Sequence, residues 1–352
     1  MSMHVVLITL GSPNSMSGGH LYHRRVADLA PRFDASMTFA RVGAGGLRAL
    51  LPATGALRAA SRSGDVLVCD SIVAARLAWG LERISIPTVG MIHQEPGGID
   101  GSVARRVLLR RFDSAAYRRM AHLMVASEPL RRYMIEQGHS IDRITVVAPG
   151  CDPWSGEETA GSAGDLRAGS QVAFLCVANW TARKGIIDLL DAFASTPAGL
   201  GRLHLVGDES VEPRYAAQVR ARMNKLDDRV IAHGPVSPER VDALYRSADV
   251  FVLPSYREPY GTVYGEALRY GLPVIGWRAG NLPHLIEHGR EGLMSEPGDL
   301  ESLAASMTRI ATDDELRVGL GLAAKSRGAS LPTWEHAAER FFATVRMVVS
   351  GA

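Results

Sequence analysis

Asp249-Val250-Phe251-Val252-Leu253-Pro254-Ser255-Tyr256-Arg257-Glu258-Pro259-Tyr260-Gly261-Thr262-Val263-Tyr264-Gly265-Glu266-Ala267-Leu268-Arg269-Tyr270-Gly271 is the stretch that decides the fold. Its apolar run through Leu253 reads as a buried strand, and Ala267-Leu268-Arg269-Tyr270 reads as helix with Gly271 as its stop. Glu258 therefore sits on a loop at the carboxyl end of a strand, where open α/β sheets place their ligands. Thr262 and Val263 fall at the start of the helix, and free N–H groups at the positive end of a helix dipole suit an anion such as a diphosphate. Gly261 lets the backbone approach a ligand closely. Glu258 and Glu266, eight positions apart, can each accept two hydroxyl hydrogen bonds, the chemistry that holds sugar or ribose diols.

The same alternation runs through the whole chain. Apolar runs at 4–10, 36–42, 65–70, 87–92, 121–126 and 143–148 read as strands with helices between them. A second series follows at 171–177, 202–206, 229–233, 249–253 and 272–277. Strands alternating with helices imply βαβ units and parallel sheets. The break falls at Pro149-Gly150-Cys151-Asp152-Pro153, followed by a stretch at 155–170 rich in Gly, Ser, Ala and acids. The expected organisation is an N-terminal domain over 1–150, a linker over 151–170, a second domain over 171–332 and a final segment, 333–352. The helix of that segment, about 333–349, starts at Pro332-Thr333.

Composition narrows the class. A chain of 352 residues is comfortable for two domains, and 46% hydrophobic with 22% charged residues describes a globular protein. No apolar run approaches the roughly 18–20 residues needed to span a bilayer. Val5-Val6-Leu7-Ile8 reads as a first strand and not a signal peptide. Cys69, Cys151 and Cys176 form no metal or redox spacing, so each is expected to be a small buried residue in a reducing cytosol. Charge is unevenly spread: residues 1–150 hold 18 arginines, no lysine and 11 acids, a net +7, and the remainder carries −5. A basic first half suits an anionic partner or membrane surface. A nicotinamide enzyme is excluded, because the loop Gly11-Ser12-Pro13-Asn14-Ser15-Met16-Ser17-Gly18-Gly19-His20 lacks the G-x-G-x-x-G fingerprint.

Further motifs flank the opening stretch. Upstream stand Val206-Gly207-Asp208 and Gly234-Pro235-Val236-Ser237-Pro238-Glu239. Downstream stand Gly271-Leu272-Pro273-Val274-Ile275-Gly276, Ala279-Gly280-Asn281-Leu282-Pro283, Glu291-Gly292-Leu293 and Pro297-Gly298-Asp299. In their order and spacing the chain resembles the retaining glycosyltransferases of family 4, most densely from Val172 to Asp299. The resemblance implies the GT-B fold, an α/β architecture of two Rossmann-like domains with parallel sheets facing across a cleft. It implies transfer of a hexosyl-type sugar from a UDP- or GDP-linked donor to a hydroxyl acceptor, with no metal and no cofactor. The final helix would cross back onto the N-terminal domain, as in that fold.

The resemblance also assigns roles. Glu258 and the amides of Tyr260 and Gly261 would hold the donor sugar, Glu266 the ribose, and the backbone at Pro235 and Val236 the base. Gly18, Gly19, Arg183, Lys184, Thr262 and Val263 would face the diphosphate. His93, at a strand's carboxyl end in Met91-Ile92-His93-Gln94-Glu95-Pro96-Gly97, would stand beside the reacting sugar. His93, Lys184 and Glu258 are thus the expected catalytic residues. Two departures stand out. The family's arginine five positions before the lysine is Asn179 here, which leaves Arg183 as the candidate second cation, and the acid after the Gly-Gly turn is His284. The remaining histidines, His20, His23 and His122 among them, lack such context and read mostly as surface residues.

Val103-Ala104-Arg105-Arg106-Val107-Leu108-Leu109-Arg110-Arg111-Phe112, continuing to Arg118 and Arg119, reads as a basic amphipathic helix. Either its arginines are solvated or they rest on anionic lipid, a peripheral site at the inner membrane face. No motif or aromatic platform supports nucleic-acid binding. Two alternatives stay open: an epimerase or phosphorylase on the same fold, and a catalytically weak membrane-docking relative.

Overall fold

The computed structural model describes residues 2–11, 18–43, 53–99, 103–152 and 164–351. The chain divides into two compact units, residues 1–150 with 332–352, and residues 151–331. Within 151–170, residues 153–163 lie outside the described residues. Leu166 is buried in the second unit's core, and Arg167 Nε donates to Asp249 Oδ2 at 2.8 Å.

In the first unit six strands form one sheet: β1 (Met3–Leu10), β2 (Ala35–Val42), β3 (Val66–Asp70), β4 (Thr88–Ile92), β5 (His122–Val125) and β6 (Ile144–Val146). The order is β2-β1-β3-β4-β5-β6, with every neighbouring pair parallel. Helices cover both faces, which is why strands such as Val-Leu-Val-Cys-Asp of β3 are buried throughout. One face packs on the final helix Trp334–Ser350, whose Ala338, Phe341, Phe342 and Val345 are buried with Val5, Leu7 and Met91. Thr333 caps that helix by accepting from His336 N at 3.2 Å.

The second unit repeats the plan with β7 (Val172–Val177), β8 (Gly201–Val206), β9 (Val230–Gly234), β10 (Val250–Val252), β11 (Val274–Trp277) and β12 (Gly292–Ser295). Its order is β12-β11-β10-β7-β8-β9, again parallel throughout. The strands and helices read from the sequence appear within a few residues of their expected bounds. β12 is new, because a four-residue strand opening on glycine gives almost no periodic signal. Phe174, Phe193, Tyr245, Phe251, Tyr264 and Trp277 are fully buried at its core.

Each sheet has one place where strand order reverses, between β1 and β3 in the first and between β7 and β10 in the second. Loops leaving neighbouring strands there diverge to opposite faces and open a crevice at their carboxyl ends. Among the described residues no helix is long and apolar enough to cross a membrane.

The loops at the second reversal are stitched to each other. Tyr256 N and Ser255 Oγ donate to Arg183 O at 2.8 and 3.2 Å. Gly185 makes the close approach feasible: its φ is +67°, and a Cβ there would lie 2.1 Å from Pro254 O. Gly185→Ala should therefore destabilise the second unit by more than about 1 kcal/mol. A drop of roughly 3 °C or more in its unfolding midpoint is the expected calorimetric result. An unchanged midpoint would mean that the two loops can separate freely.

Candidate functional site

Lys184 follows β7 and Glu258 follows β10, so the reversal of strand order brings residues 74 positions apart into contact. Lys184 Nζ donates to Glu258 Oε2 in a short ion pair. Arg183 Nη1 lies 3.6 Å from the same oxygen and donates to Arg257 O at 3.2 Å. Both members of the main pair are largely buried, with side-chain exposures of 11% and 13%. A pair this dry is held by mutual neutralisation, since removing one partner strands the other's charge away from water.

The short Ala182–Lys184 turn ends at Gly185, from which the helix Ile186–Ala194 runs away from the cluster. At the position of the family's arginine, Asn179 Oδ1 accepts from Asp208 N at 3.1 Å, tying this loop to the one after β8. Asn179 thus serves loop geometry, and the second cation near Glu258 is Arg183.

Residues 258–261 are held from the side. Asn281 N donates to Glu258 O at 2.9 Å, and Asn281 Nδ2 donates to Tyr260 O at 2.8 Å. From below, Tyr264 is fully buried and donates to Leu253 O at 2.8 Å. Gly261 has φ +81°, and a Cβ there would strike the Tyr264 ring at 2.5 Å. This left-handed residue starts the helix Thr262–Arg269 without a side-chain cap. The amides of Thr262 and Val263, at the helix's first two positions, have no hydrogen-bond partner among the described residues and are open to an anion.

Glu266, one turn into that helix, accepts from Tyr245 Oη at 3.0 Å. Tyr245 is buried and stacked on Tyr270 with ring centroids 5.1 Å apart, and burial, then the Glu266 charge, keeps its hydroxyl protonated well above its ordinary range. Sequence reasoning missed Tyr245; a tyrosine on the inner face of Pro238–Ser247 looks like ordinary core. Pro235 and Val236 follow β9, two strands from β7, or about 10 Å at the usual strand spacing.

In the first unit the helix Gly18–Leu29 begins at the Gly18-Gly19 pair and places Gly19 beside His93. A Cβ on Gly19 would lie 3.7 Å from the His93 ring. Residues 12–17 of the preceding loop lie outside the described residues. His93 follows β4, half-buried, and its amide donates to Ser71 Oγ at 3.3 Å. Four histidines outside the expected site are not at the surface: His23, His122, His139 and His204 are buried. His23 is fully buried, because the helix turns Tyr22, His23 and Val26 inward, and His122 is buried on β5 with Nε2 2.8 Å from Thr145 Oγ1. The three cysteines are buried and form no disulfide among the described residues, and His284 lies apart in the helix Leu282–Leu285.

The loop after His93 is tied to the helix Val103–Arg119 through Asp113, which accepts from Gly97 N at 2.7 Å. Of the basic helix only Asp113, Ala116 and Tyr117 are buried, while Val103, Val107 and Leu108 are exposed. Trp79 is 68% exposed beside Phe112, with ring centroids 6.2 Å apart.

Comparisons with known proteins fit this geometry. The sequence profile described as "Glycosyl transferases group 1" matches residues 171–313, and that described as "Glycosyl transferase 4-like domain" matches residues 2–150. D-inositol 3-phosphate glycosyltransferase of Xylanimonas cellulosilytica is 28% identical over 78% of this chain and 70% of its own length. The same enzyme of Corynebacterium jeikeium is 36% identical over 30% of this chain. The chain covers only 25% of that relative's length. The solved structure of Anabaena HepE in complex with UDP and glucose superposes with a TM-score of 0.80 at 19% identity, covering 98% of this chain and 100% of that one.

Burial raises the Asp113 carboxyl from 3.8 to about 6, against the lowering pull of the Gly97 and Ala75 amides. A carboxyl with its folded pKa raised adds stability below the unfolded value, and that stability is lost as pH rises through the folded one. The protein should therefore lose about 2–3 kcal/mol of stability from this group between pH 4 and pH 6.5. Asp113→Asn, which keeps an acceptor for Gly97 N, should flatten that part of the stability profile in denaturant titrations. An identical slope in the variant would place the titration elsewhere.

Proposed function

The chain belongs to the family 4 glycosyltransferases of the GT-B fold, and on that premise we propose that it moves a sugar from a UDP- or GDP-linked donor to a hydroxyl acceptor with retention of anomeric configuration. The observation that carries this reading is the cluster of Lys184, Arg183 and Glu258 at the strand-order reversal of the second unit. Cations and a hydroxyl acceptor stand together there, as a donor with a charged diphosphate next to a polar sugar requires.

In the proposed reaction the bond between the anomeric carbon and the diphosphate oxygen breaks, and the acceptor oxygen bonds to that carbon on the same face. The acceptor proton passes to a diphosphate oxygen. Lys184, Arg183 and the amides of Thr262 and Val263 stabilise the charge that grows on the leaving group, a role preorganised donors and cations fill without a cofactor. Glu258, with the amides of Tyr260 and Gly261, accepts and donates to the sugar hydroxyls. Glu266, oriented by Tyr245, takes the ribose diol, and the backbone at Pro235 and Val236 meets the base. Gly18, Gly19 and His93 are the first unit's donor-facing groups.

Lys184→Ala should lower turnover about 10²- to 10³-fold with a smaller effect on donor affinity, because charge on the diphosphate grows only as the bond breaks. Glu266→Ala should instead weaken the bare nucleotide, by roughly 1.5–3 kcal/mol per lost bond in calorimetry. The primary assay is nucleotide release from UDP- and GDP-sugars with NMR of the product anomer. Turnover of Lys184→Ala within threefold of the parent would withdraw the diphosphate assignment, and an inverted product would withdraw retention.

The exposed side of Val103–Arg119 supports a second element. Val103, Val107, Leu108 and Trp79 lie exposed on a surface with Arg105 and Arg111, a combination suited to an anionic bilayer. We place the protein there as a peripheral partner. Sedimentation with phosphatidylglycerol vesicles at low salt, lost on adding salt and weakened in Trp79→Ala, is the expected result. No sedimentation at low salt would leave the arginines as a solvated face.

A further inference from the structure

At the strand-order reversal of the first unit His93 stands at the end of a line of buried polar groups, Thr9, Asp70 and His23, to which the proposed glycosyl transfer assigns no role. Thr9 is the last residue but one of β1, Asp70 ends β3, His93 follows β4, and His23 reaches them from the helix Gly18–Leu29. Thr9, Asp70 and His23 are 0%, 2% and 0% exposed. His93 Nε2 and His23 Nε2 are 3.0 Å apart. The opposite ring nitrogen of His23, Nδ1, is buried without a hydrogen-bond partner among the described residues, and the charged group that faces it is Asp70, with Oδ2 3.6 Å away. Asp70 itself receives three donors: Thr9 Oγ1 at 2.7 Å, Ser71 Oγ at 3.3 Å and Ile72 N at 3.2 Å.

We infer that Asp70 and His23 are positioning residues that fix the tautomer of His93, so that His93 offers its Nδ1 lone pair to a substrate hydroxyl. A carboxylate already receiving three donors can only accept, so the His23 Nδ1 that faces it carries the proton. His23 Nε2 is then a lone pair. Two imidazole nitrogens 3.0 Å apart need one proton between them, and it comes from His93 Nε2. That leaves His93 Nδ1 as an acceptor, and it has no partner among the described residues. Both rings stay neutral in such a chain. Burial lowers His23 to about 3, with the nearby His20 assisting, and burial followed by His23 lowers His93 to about 3. Tyr22 packs edge-on against His93, with centroids 5.0 Å apart, and keeps the ring in line.

His23, Asp70 and His93 are also near enough to share a metal ion. The contacts argue for the relay. A metal held through one nitrogen of His23 would give up one of the two pairings present, His93 with Nε2 or Asp70 with Nδ1.

The test reads ring protons directly. In ¹⁵N-histidine-labelled protein at pH 7, two-bond ¹H–¹⁵N spectra should show His23 protonated at Nδ1 and His93 at Nε2. Asp70→Asn keeps the acceptor for Ile72 but turns an N–H toward His23 Nδ1, so both tautomers should reverse. His93 then presents a donor outward, and turnover should fall about 10²-fold with the donor KM within threefold, as when a buried acid that orients a catalytic histidine is lost. His93 protonated at Nδ1 in the parent, or tautomers unchanged in Asp70→Asn, would overturn the relay. So would stoichiometric binding of added Zn²⁺ that displaces both ring protons. The kinetic arm rests on the glycosyl-transfer reading and the spectra do not. Expected tautomers in a protein that turns over no sugar nucleotide would uphold the relay and sink that reading instead.

Discussion

Parallel pairing of β7 with β10, Phe174 beside Val250 and Leu175 beside Phe251, is the constraint on which the candidate donor site depends. Two further strands and three helical crossovers separate the two in the chain, and among the described residues their adjacency creates the reversal of order in that sheet. Without it Lys184 and Glu258 would lie in unrelated loops. With it, the loops must pass within hydrogen-bond distance, which explains the glycine at 185 and the donation of Tyr256 and Ser255 to Arg183 O. Packing beneath the loops supplies the rest. Tyr264 fills the space under residues 258–261, and Tyr245 sets Glu266, so the acidic groups stand on aromatic side chains that cannot change rotamer cheaply.

The first unit uses the same topological device with the opposite electrostatics. At its reversal burial disfavours the charged form of both imidazoles, so the Asp70 carboxylate is held by hydrogen-bond donors and not by an ion pair as in the second unit. What remains is orientation: a buried carboxylate fixes which side of each ring carries the proton. A single fold thus supplies one crevice suited to neutralising an anion and another suited to aligning a hydroxyl.

Much of this was legible in the sequence, and the parts that were not share a cause. Continuous apolar runs such as Val172–Val177 and the helix starts at Gly18, Ile186 and Thr262 announced the elements because strand burial and helix capping are local. The spacing of Glu258 and Glu266 is a local signal too, but their neighbours Lys184 and Tyr245 are not. Contacts across the sheet were not local. Nothing in His20-Leu21-Tyr22-His23 says which histidine faces inward, since the helix's orientation is set by packing on β1 and on Trp334–Ser350. Nor does Tyr245 reveal that its hydroxyl will meet a glutamate 21 residues on. Asn179 could be read as a missing cation but not as the acceptor that pins Asp208.

The ion pair of Lys184 with Glu258 bears on how a whole donor would differ from its parts. Each charge is the other's main partner, and both are nearly dry. A ligand that draws Lys184 onto a phosphate leaves a carboxylate stranded unless something replaces the ammonium. Breaking one side of such a pair costs several kcal/mol. Under the proposed reading, the bare nucleotide supplies phosphates and nothing for Glu258, so it must either leave the pair intact or forgo part of its binding energy. A complete nucleotide sugar supplies oxygens to Lys184 and hydroxyls to Glu258 at once. The pair therefore couples recognition of diphosphate and sugar, with Arg183, 3.6 Å from the same carboxylate oxygen, left to face Glu258 when Lys184 is drawn away. Discrimination for the intact donor then follows from the cost of an unpaired buried charge, in addition to the contacts each half makes by itself.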